Sequence, residues 1–360
     1  MSTNTIHDDS PRPTLPSGPV FAVGFSRWKH SFVIDFLGST VSPTFISEKR
    51  LPQLTAKDQL VVWASRLTPL LLARCKDSGA RLWRMEDGFV RSVGLGADLV
   101  RPMSLIIDSQ GVYYDATGPS DLETLLATHP FPTALLERAQ KIRQRLVELG
   151  VSKYNVGGRK CLSLPQDRRL ILVPGQVESD ASIASGSPAI KTNNELLARV
   201  RSRHPDAFII YKPHPDVVSG GRIGDLPAHS AHLYDLLVTD IGMPELLQQV
   251  QEVHSLCSLT GFEALLRGLR VHTYGLPFYA GWGLTEDLLS CERRTRRLDL
   301  DQLVAATLIL YPTYVEPDSG LICDVETVIE LIAQRRDPVG GPSLKTKLYR
   351  GYRRIFEGPK

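Results

Sequence analysis

Apolar and polar positions along this chain fall into short β-like runs that alternate with longer helical ones. PVFAVGF at 19–25 predicts a strand and residues 27–37 a helix, while QLVVWA at 59–64 predicts a buried strand. Residues 68–78 read as a helix, and RLWRME at 81–86 as a strand ending on the acidic pair Glu86 and Asp87. SLIIDSQGVYYDA at 104–116 predicts two strands around a Gln110-Gly111 turn. Next, Ser120 is placed to N-cap a helix, with Glu123 completing a capping box. A long amphipathic helix is expected over 132–149, followed by a polar, glycine-containing stretch, 151–159, that reads as a linker.

The alternation then restarts. RLILVPGQ at 169–176 predicts a strand ending in a glycine loop, 193–204 a helix, and AFIIYKPHP at 207–215 a strand running into His214. Further short strands are expected at 233–239, 253–258 and 270–274, with helices at 244–251, 261–267, 300–310 and 324–334. Two successive βα arrays imply an α/β fold of two Rossmann-like domains facing a cleft, with ligands at the carboxyl ends of the strands. The expected division is a disordered leader over 1–18, a first domain over 19–150, a linker over 151–165, a second domain over 166–334 and a basic tail over 335–360.

Length supports this division, because 360 residues exceed a comfortable single core. A hydrophobic content of 42% with 22% charged residues is that of an ordinary globular protein, and a net charge of +3 argues against a dedicated nucleic-acid binder. The cysteines, Cys75, Cys161, Cys257, Cys291 and Cys323, are scattered and lack CxxC spacing, which suits reduced thiols better than disulfides or a zinc site. No signal-like segment and no apolar run of membrane-spanning length is present, so a cytoplasmic protein is expected. In the tail, basic residues outnumber the acidic Asp337 and Glu357, with Tyr349, Tyr352 and Ile355 interspersed. That composition fits a solvated tail or a helix resting on an anionic membrane surface.

Candidate chemistry sits where the predicted strands end. Glu86 or Asp87, before the Gly88 turn, could take a proton from an attacking hydroxyl; the structural alternative is an ion pair with Arg84 or Arg91. Asp180, in Gln176-Val177-Glu178-Ser179-Asp180, could attack an anomeric carbon, or simply N-cap the helix that follows. Lys212-Pro213-His214-Pro215 is more specific: two prolines stiffen a loop carrying a phosphate-binding lysine and a histidine suited to a departing phosphate. Ser258, Thr260 and Glu263 open a predicted helix, where amides and hydroxyls favour an anion and Glu263 could accept from ribose hydroxyls. The run from Tyr274 to Gly283, rich in aromatics and glycines, suits a wall around a base or sugar. Walker A, GxGxxG, GxSxG and a convincing DxD pair are all missing, which weakens readings based on ATP hydrolysis, hydride transfer or serine hydrolysis.

Taken in order, GFSRWK, MEDGFVRSVGLGADLVRPMSLIID, GVYYDATGPSDLETLL, LVPGQVESDASI, YKPHPDV and GFEALLRGLRVHTYGLPFYAGWGLTED resemble the KpsC-type capsule polysaccharide β-Kdo transferases, over roughly residues 21–334. The length matches one transferase module, most like the carboxyl-terminal one of a tandem pair. The EDG and HP elements also resemble those of bacterial sialyltransferases. The resemblance implies a GT-B-like fold, an acceptor-side first domain, and a second domain holding CMP-Kdo as donor substrate, with no other cofactor and no metal. It assigns Lys212, His214 and Pro215 to the CMP phosphate loop, and Gln176, Ser258, Thr260 and Glu263 to the nucleotide site. Asp180 is implied as nucleophile of a retaining, covalent mechanism, with Glu86 or Asp87 as base and Arg91 as a partner for the Kdo carboxylate. Implied partners are a lipid-linked Kdo or glycolipid acceptor, other capsule biosynthesis proteins and the inner-membrane surface. A transferase for another CMP-activated keto-sugar acid, or a non-catalytic capsule assembly or export factor, stays open as an alternative.

Overall fold

The computed structural model describes residues 15, 17–38, 40–218 and 223–336. The expected leader lies outside these except for Leu15, Ser17 and Gly18, and the expected tail except for Arg335 and Arg336.

Thirteen strands form two sheets among the described residues. They are β1 Val20–Val23, β2 Thr44–Ile46, β3 Gln59–Trp63, β4 Arg81–Asp87, β5 Ser104–Asp108, β6 Leu170–Pro174, β7 Phe208–Lys212, β8 Leu236–Leu237, β9 Glu252–Ser255, β10 Arg270–Thr273, β11 Glu286–Asp287, β12 Pro312–Val315 and β13 Ile322–Cys323. The first sheet runs β13-β12-β5-β4-β3-β1-β2, parallel from β2 to β4 and antiparallel beyond. Alternation of side chains divides its core. Val61, Trp63, Trp83 and Met85 join one apolar cluster, and Leu60 and Val62 join another on the opposite face. The second sheet runs β8-β7-β6-β9-β10-β11, wholly parallel, with its first strand central. That is the Rossmann strand order, and its switch point falls between β6 and β9.

Several expected elements keep their places with local reasons. The helix Pro69–Ser78 starts where Thr68 Oγ1 accepts from Leu71 N at 3.1 Å and stops at Gly79, whose φ of +73° a side chain would resist. The amphipathic helix Thr133–Glu148 buries Ala139, Ile142 and Leu146.

Three expectations fail. Residues 111–114 form no strand, because both edges of β5 are occupied, by β4 and by β12. Asp108 Oδ1 instead accepts from the amides of Gln110 and Gly111, turning the chain away. Ser120 does cap its helix, accepting from Glu123 N at 3.1 Å, but Glu123 closes no capping box. Its nearly buried carboxylate takes Arg293 Nε at 2.6 Å and Arg294 Nε at 2.9 Å, charged donors that compensate its desolvation.

The third failure concerns the domain boundary. The span 166–334 is not one domain, since β12 and β13 return to the first sheet, where β12 pairs antiparallel with β5. The helix Val325–Arg335 follows them home, and Arg138–Glu326 and Arg145–Glu330 ion pairs bind it to the helix Thr133–Glu148. β12 covers an edge of β5 that would otherwise be an open pairing template. One apolar cluster runs through both units, from Ile106, Ala139 and Tyr311 to Leu172, Val253 and Phe262.

Candidate active site

The strand β4 carries the acidic pair to the carboxyl edge of the first sheet, and Gly88 permits the turn that follows: a Cβ there would sit 2.4 Å from Ser104 Oγ. The two acids are neighbours in different surroundings. Asp87 Oδ2 lies 2.8 Å from Arg91 Nε, in a pair whose arginine side chain is only 2% exposed. Burial alone would raise the Asp87 carboxyl, but Arg91, Lys153 and Lys29 outweigh it and hold the group below the usual carboxylate range. Glu86 Oε1 accepts from Asp87 N at 3.0 Å. Burial, then the adjacent Asp87 charge, push Glu86 up to about 7 despite the pull of that amide and of Lys29.

Two lysines complete this charged group. Lys29, in the first turn of the helix Arg27–Leu37, sets its ammonium 2.8 Å from the Trp63 ring centroid and is lowered to about 8 by burial. Lys153 would also be lowered by burial, but Tyr113, Tyr154, Asp87 and Glu86 together raise it, so it stays a cation. It comes from the stretch read as a linker, which is zipped into the site. Lys153 O accepts from Arg91 N and Ser92 N, and Tyr154 O accepts from Gly94 N. Asn155 adopts a φ of +54° and ties its amide to Ser92 O at 2.9 Å.

The second sheet presents loops from its own carboxyl edge. After β6, Gly175 is required because a Cβ would lie 2.5 Å from Tyr211 Oη. Gln176 then bridges the switch point, its Oε1 accepting from Cys257 N at 2.9 Å in the loop after β9. Asp180 N-caps the short helix Ala181–Gly186, its Oδ1 accepting from Ser182 N at 2.9 Å and Ser182 Oγ at 2.8 Å. His214 Nδ1 accepts from Asp216 N at 3.1 Å, which places the proton of the neutral ring on Nε2. Pro215 opens the turn of helix Pro215–Val218. Ser258 caps the helix Leu259–Leu265 through Thr260 N at 3.2 Å, and its hydroxyl also meets Thr260 Oγ1 at 3.1 Å.

The two halves meet. Lys153 N donates to Glu263 Oε1 at 2.9 Å, joining the first sheet's loops to the second's. Ser185 Oγ donates to Tyr114 O at 3.4 Å, and the Asp180 charge is among those that raise the Tyr114 phenol, after burial and Glu86. Asp216 likewise adds to the rise at Tyr154, after burial.

Several residues expected at a ligand are engaged by the protein. The Arg91 guanidinium faces Asp87, donates from Nη1 to Ser92 Oγ at 2.8 Å and packs under Gly96, so it is not open to a Kdo carboxylate. Lys212 Nζ donates to Ile241 O at 2.7 Å, which uses one of its three donors. Glu263 is 8% exposed and serves Lys153 N, with burial raising its carboxyl. Sequence reasoning missed Lys29, Lys153, Tyr113, Tyr114 and Tyr154 as site residues. Lys29 and the two adjacent tyrosines lay inside motif phrases, whereas Lys153 and Tyr154 had no signal beyond a polar stretch. A separate groove of ≈ 440 Å³ between the helices Thr133–Glu148 and Val325–Arg335 carries no comparable chemistry, its Arg138, Arg145, Glu326 and Glu330 being paired across it.

Comparison with known proteins agrees with this architecture. Over 325 residues the chain is 44% identical to the capsule polysaccharide modification protein LipA of Neisseria meningitidis serogroup B, covering 89% of this chain and 46% of LipA. It is 44% identical over 267 residues to the lipopolysaccharide-processing protein LpsZ of Rhizobium meliloti, covering 73% of this chain and 61% of LpsZ. The chain thus spans about half the length of the curated relatives it matches. Among solved structures it is similar to Thermosulfurimonas dismutans KpsC described as beta Kdo 2,7 transferase, with 37% identity, a TM-score of 0.72 and coverage of 89% of this chain and 100% of that one. A second Thermosulfurimonas dismutans KpsC structure, described as beta Kdo 2,4 transferase, gives 31% identity, a TM-score of 0.78 and coverage of 88% and 99%. Residues 58–314 match the capsule polysaccharide biosynthesis protein family, and the chain belongs to that family.

Proposed function

We propose that this chain is a β-Kdo transferase that moves Kdo from CMP-Kdo onto a lipid-linked acceptor of a capsular polysaccharide, with retention of the donor's configuration. The supporting observation is the pair Glu86 and Asp87, adjacent yet driven apart in acidity, in a chain that aligns with the whole of a structure described as a Kdo transferase. A group near 7 is matched to taking a proton at neutral pH, and one held ionised is not. Glu86 is therefore the base, and Asp87 with Arg91 is its fixed electrostatic neighbour.

Retention takes two displacements. The Asp180 carboxylate, anchored by Ser182 N and Oγ, attacks the anomeric carbon as the bond to the CMP phosphate breaks. The Nε2–H of His214 donates to that departing phosphate. The acceptor hydroxyl then attacks the same carbon, Glu86 takes its proton, and the Asp180 ester is released as carboxylate. Ser258 and Gln176, at the switch-point loops, line the nucleotide side. The solved relatives differ in linkage; this chain is nearer one in sequence and the other in shape, so neither linkage is favoured.

The test is incubation of the protein with CMP-Kdo and a Kdo-primed glycolipid. CMP release with one or more added Kdo units is expected, together with a protein mass increase of one Kdo when acceptor is withheld. Absence of CMP release sinks the transferase reading, and full transfer by Asp180→Asn sinks the covalent one. Among the described residues no helix is long and apolar enough to cross a membrane.

A further inference from the structure

We propose that Glu252, His254 and His272 form a binding site for a divalent transition-metal ion, zinc by ligand type, that fastens β9, β10 and β11 of the second sheet. All three are buried, and one ligand atom from each lies within 4.8 Å of the others. Register brings them together: Glu252 and His254 share a face of β9, and His272 stands beside His254 on β10, the rings stacked at 4.1 Å and 16°.

Hydrogen bonding turns the His272 lone pair inward. His254 Nδ1 is 3.0 Å from Tyr274 Oη, and His272 Nδ1 is 3.3 Å from Glu286 Oε2. A carboxylate can only accept, so the neutral His272 ring carries its proton on Nδ1, leaving Nε2 as a bare lone pair. That Nε2 is buried, has no hydrogen-bond partner, and points at Glu252 Oε2 from 3.6 Å. His254 Nε2 approaches the same oxygen at 3.5 Å. Both separations are long for a hydrogen bond yet close to the ~3.4 Å between ligands of a tetrahedral zinc with ~2.1 Å bonds. The outer partners reproduce the arrangement in which a carboxylate or hydroxyl fixes a metal-binding imidazole from behind.

Charged groups surround the cluster on both strands. Arg169 and Arg270 both approach Glu252 Oε1, leaving Oε2 to the histidines, and Arg270 also pairs with Glu286. Arg203 is a further cation acting on His272 and Tyr274. His204 packs edge-on at 4.9 Å from His254 but stands outside the ligand set, because its Nδ1 accepts from Arg169 and its Nε2 therefore holds the proton. Three protein ligands leave one position for water. The cluster ties β9 to β10 within the strands themselves, which makes it a structural clip.

Chelator-stripped full-length protein should take up one equivalent of Zn²⁺ and unfold at a higher temperature with it. The double variant His254→Gln/His272→Gln should bind at least 100-fold more weakly. Glu286→Gln, altering a half-exposed carboxylate outside the ligand set, should weaken binding about 10- to 100-fold and keeps the test alive if the double variant misfolds. Cobalt in place of zinc should give visible d–d bands without a thiolate charge-transfer band. No saturable uptake, uptake unchanged in the double variant, or a thiolate band would each overturn the assignment.

Discussion

Arg91 meets Asp87 with its Nε 2.8 Å from Oδ2, and this contact makes two adjacent carboxylates chemically unlike. Asp87 is held ionised by the guanidinium, while Glu86, next in the chain and sharing the same desolvation, is left to rise to about 7. An acid and a base can be built from neighbouring residues of one strand because charge falls off steeply with distance and burial does not.

Transfer should follow a bell-shaped pH profile. Glu86 must be ionised to accept a proton, so the rate rises through about 7; Lys29, lowered to about 8, loses its charge above that and the rate falls. Glu86→Gln should cost about 10²–10⁴ in kcat while leaving KM for CMP-Kdo within a few-fold. Initial-rate measurements of CMP release from pH 5.5 to 9.5 check this, and a flat profile would contradict it.

Glu86 should also leave a mark on stability. Its folded pKa is raised from 4.5 to about 7, so its contribution is complete below 4.5 and is lost as pH climbs to 7. Between those values the wild type should lose about 1–3 kcal/mol that Glu86→Gln does not lose. Denaturant titrations of both proteins at pH 4.5 and pH 8 make the comparison.

Removing Arg91 should strand Asp87. Arg91→Gln is expected to cost about 3 kcal/mol in unfolding free energy, since a buried carboxylate loses its counter-charge. Adding Asp87→Asn should recover part of that loss, giving a coupling energy of the pair in a double-mutant cycle. Strict additivity would show that the contact does not matter.

Asp180 can be separated from its structural duty. Asn is as good an N-cap as Asp, so Asp180→Asn should keep the helix Ala181–Gly186 and stay within about 0.5 kcal/mol of wild type. Transfer should nevertheless fall below detection, because an amide cannot act as the nucleophile. Equal loss of stability and activity would point to capping alone.

A chain ending at residue 311 should fail to fold. It would strip β12 from β5 and remove Val315 from the apolar cluster that holds Met85 and Leu105. Circular dichroism and size-exclusion of that chain test the topology; a folded, monomeric product would refute it.

Much of this was legible in the chain. The helix Arg27–Leu37 and the helix Thr133–Glu148 follow from apolar periodicity, and β3, β5 and β6 from continuous apolar runs buried on both faces. The site loops were legible too, because Gly88 and Gly175 mark strand ends that no larger residue could occupy. Lys153 was not: its stretch has no periodicity, and its place comes from hydrogen bonds to residues 91–94 and to Glu263.

By itself the sequence determined the α/β class, the two βα arrays and the ends of strands where chemistry collects, since periodicity and turn residues act over a few positions. Tertiary structure alone decided that β12 and β13 return to the first sheet, that Glu123 answers to Arg293 and Arg294, and that Glu86 and Asp87 differ. Each depends on a partner distant along the chain, or on desolvation by the fold as a whole. Local pattern carries neither quantity.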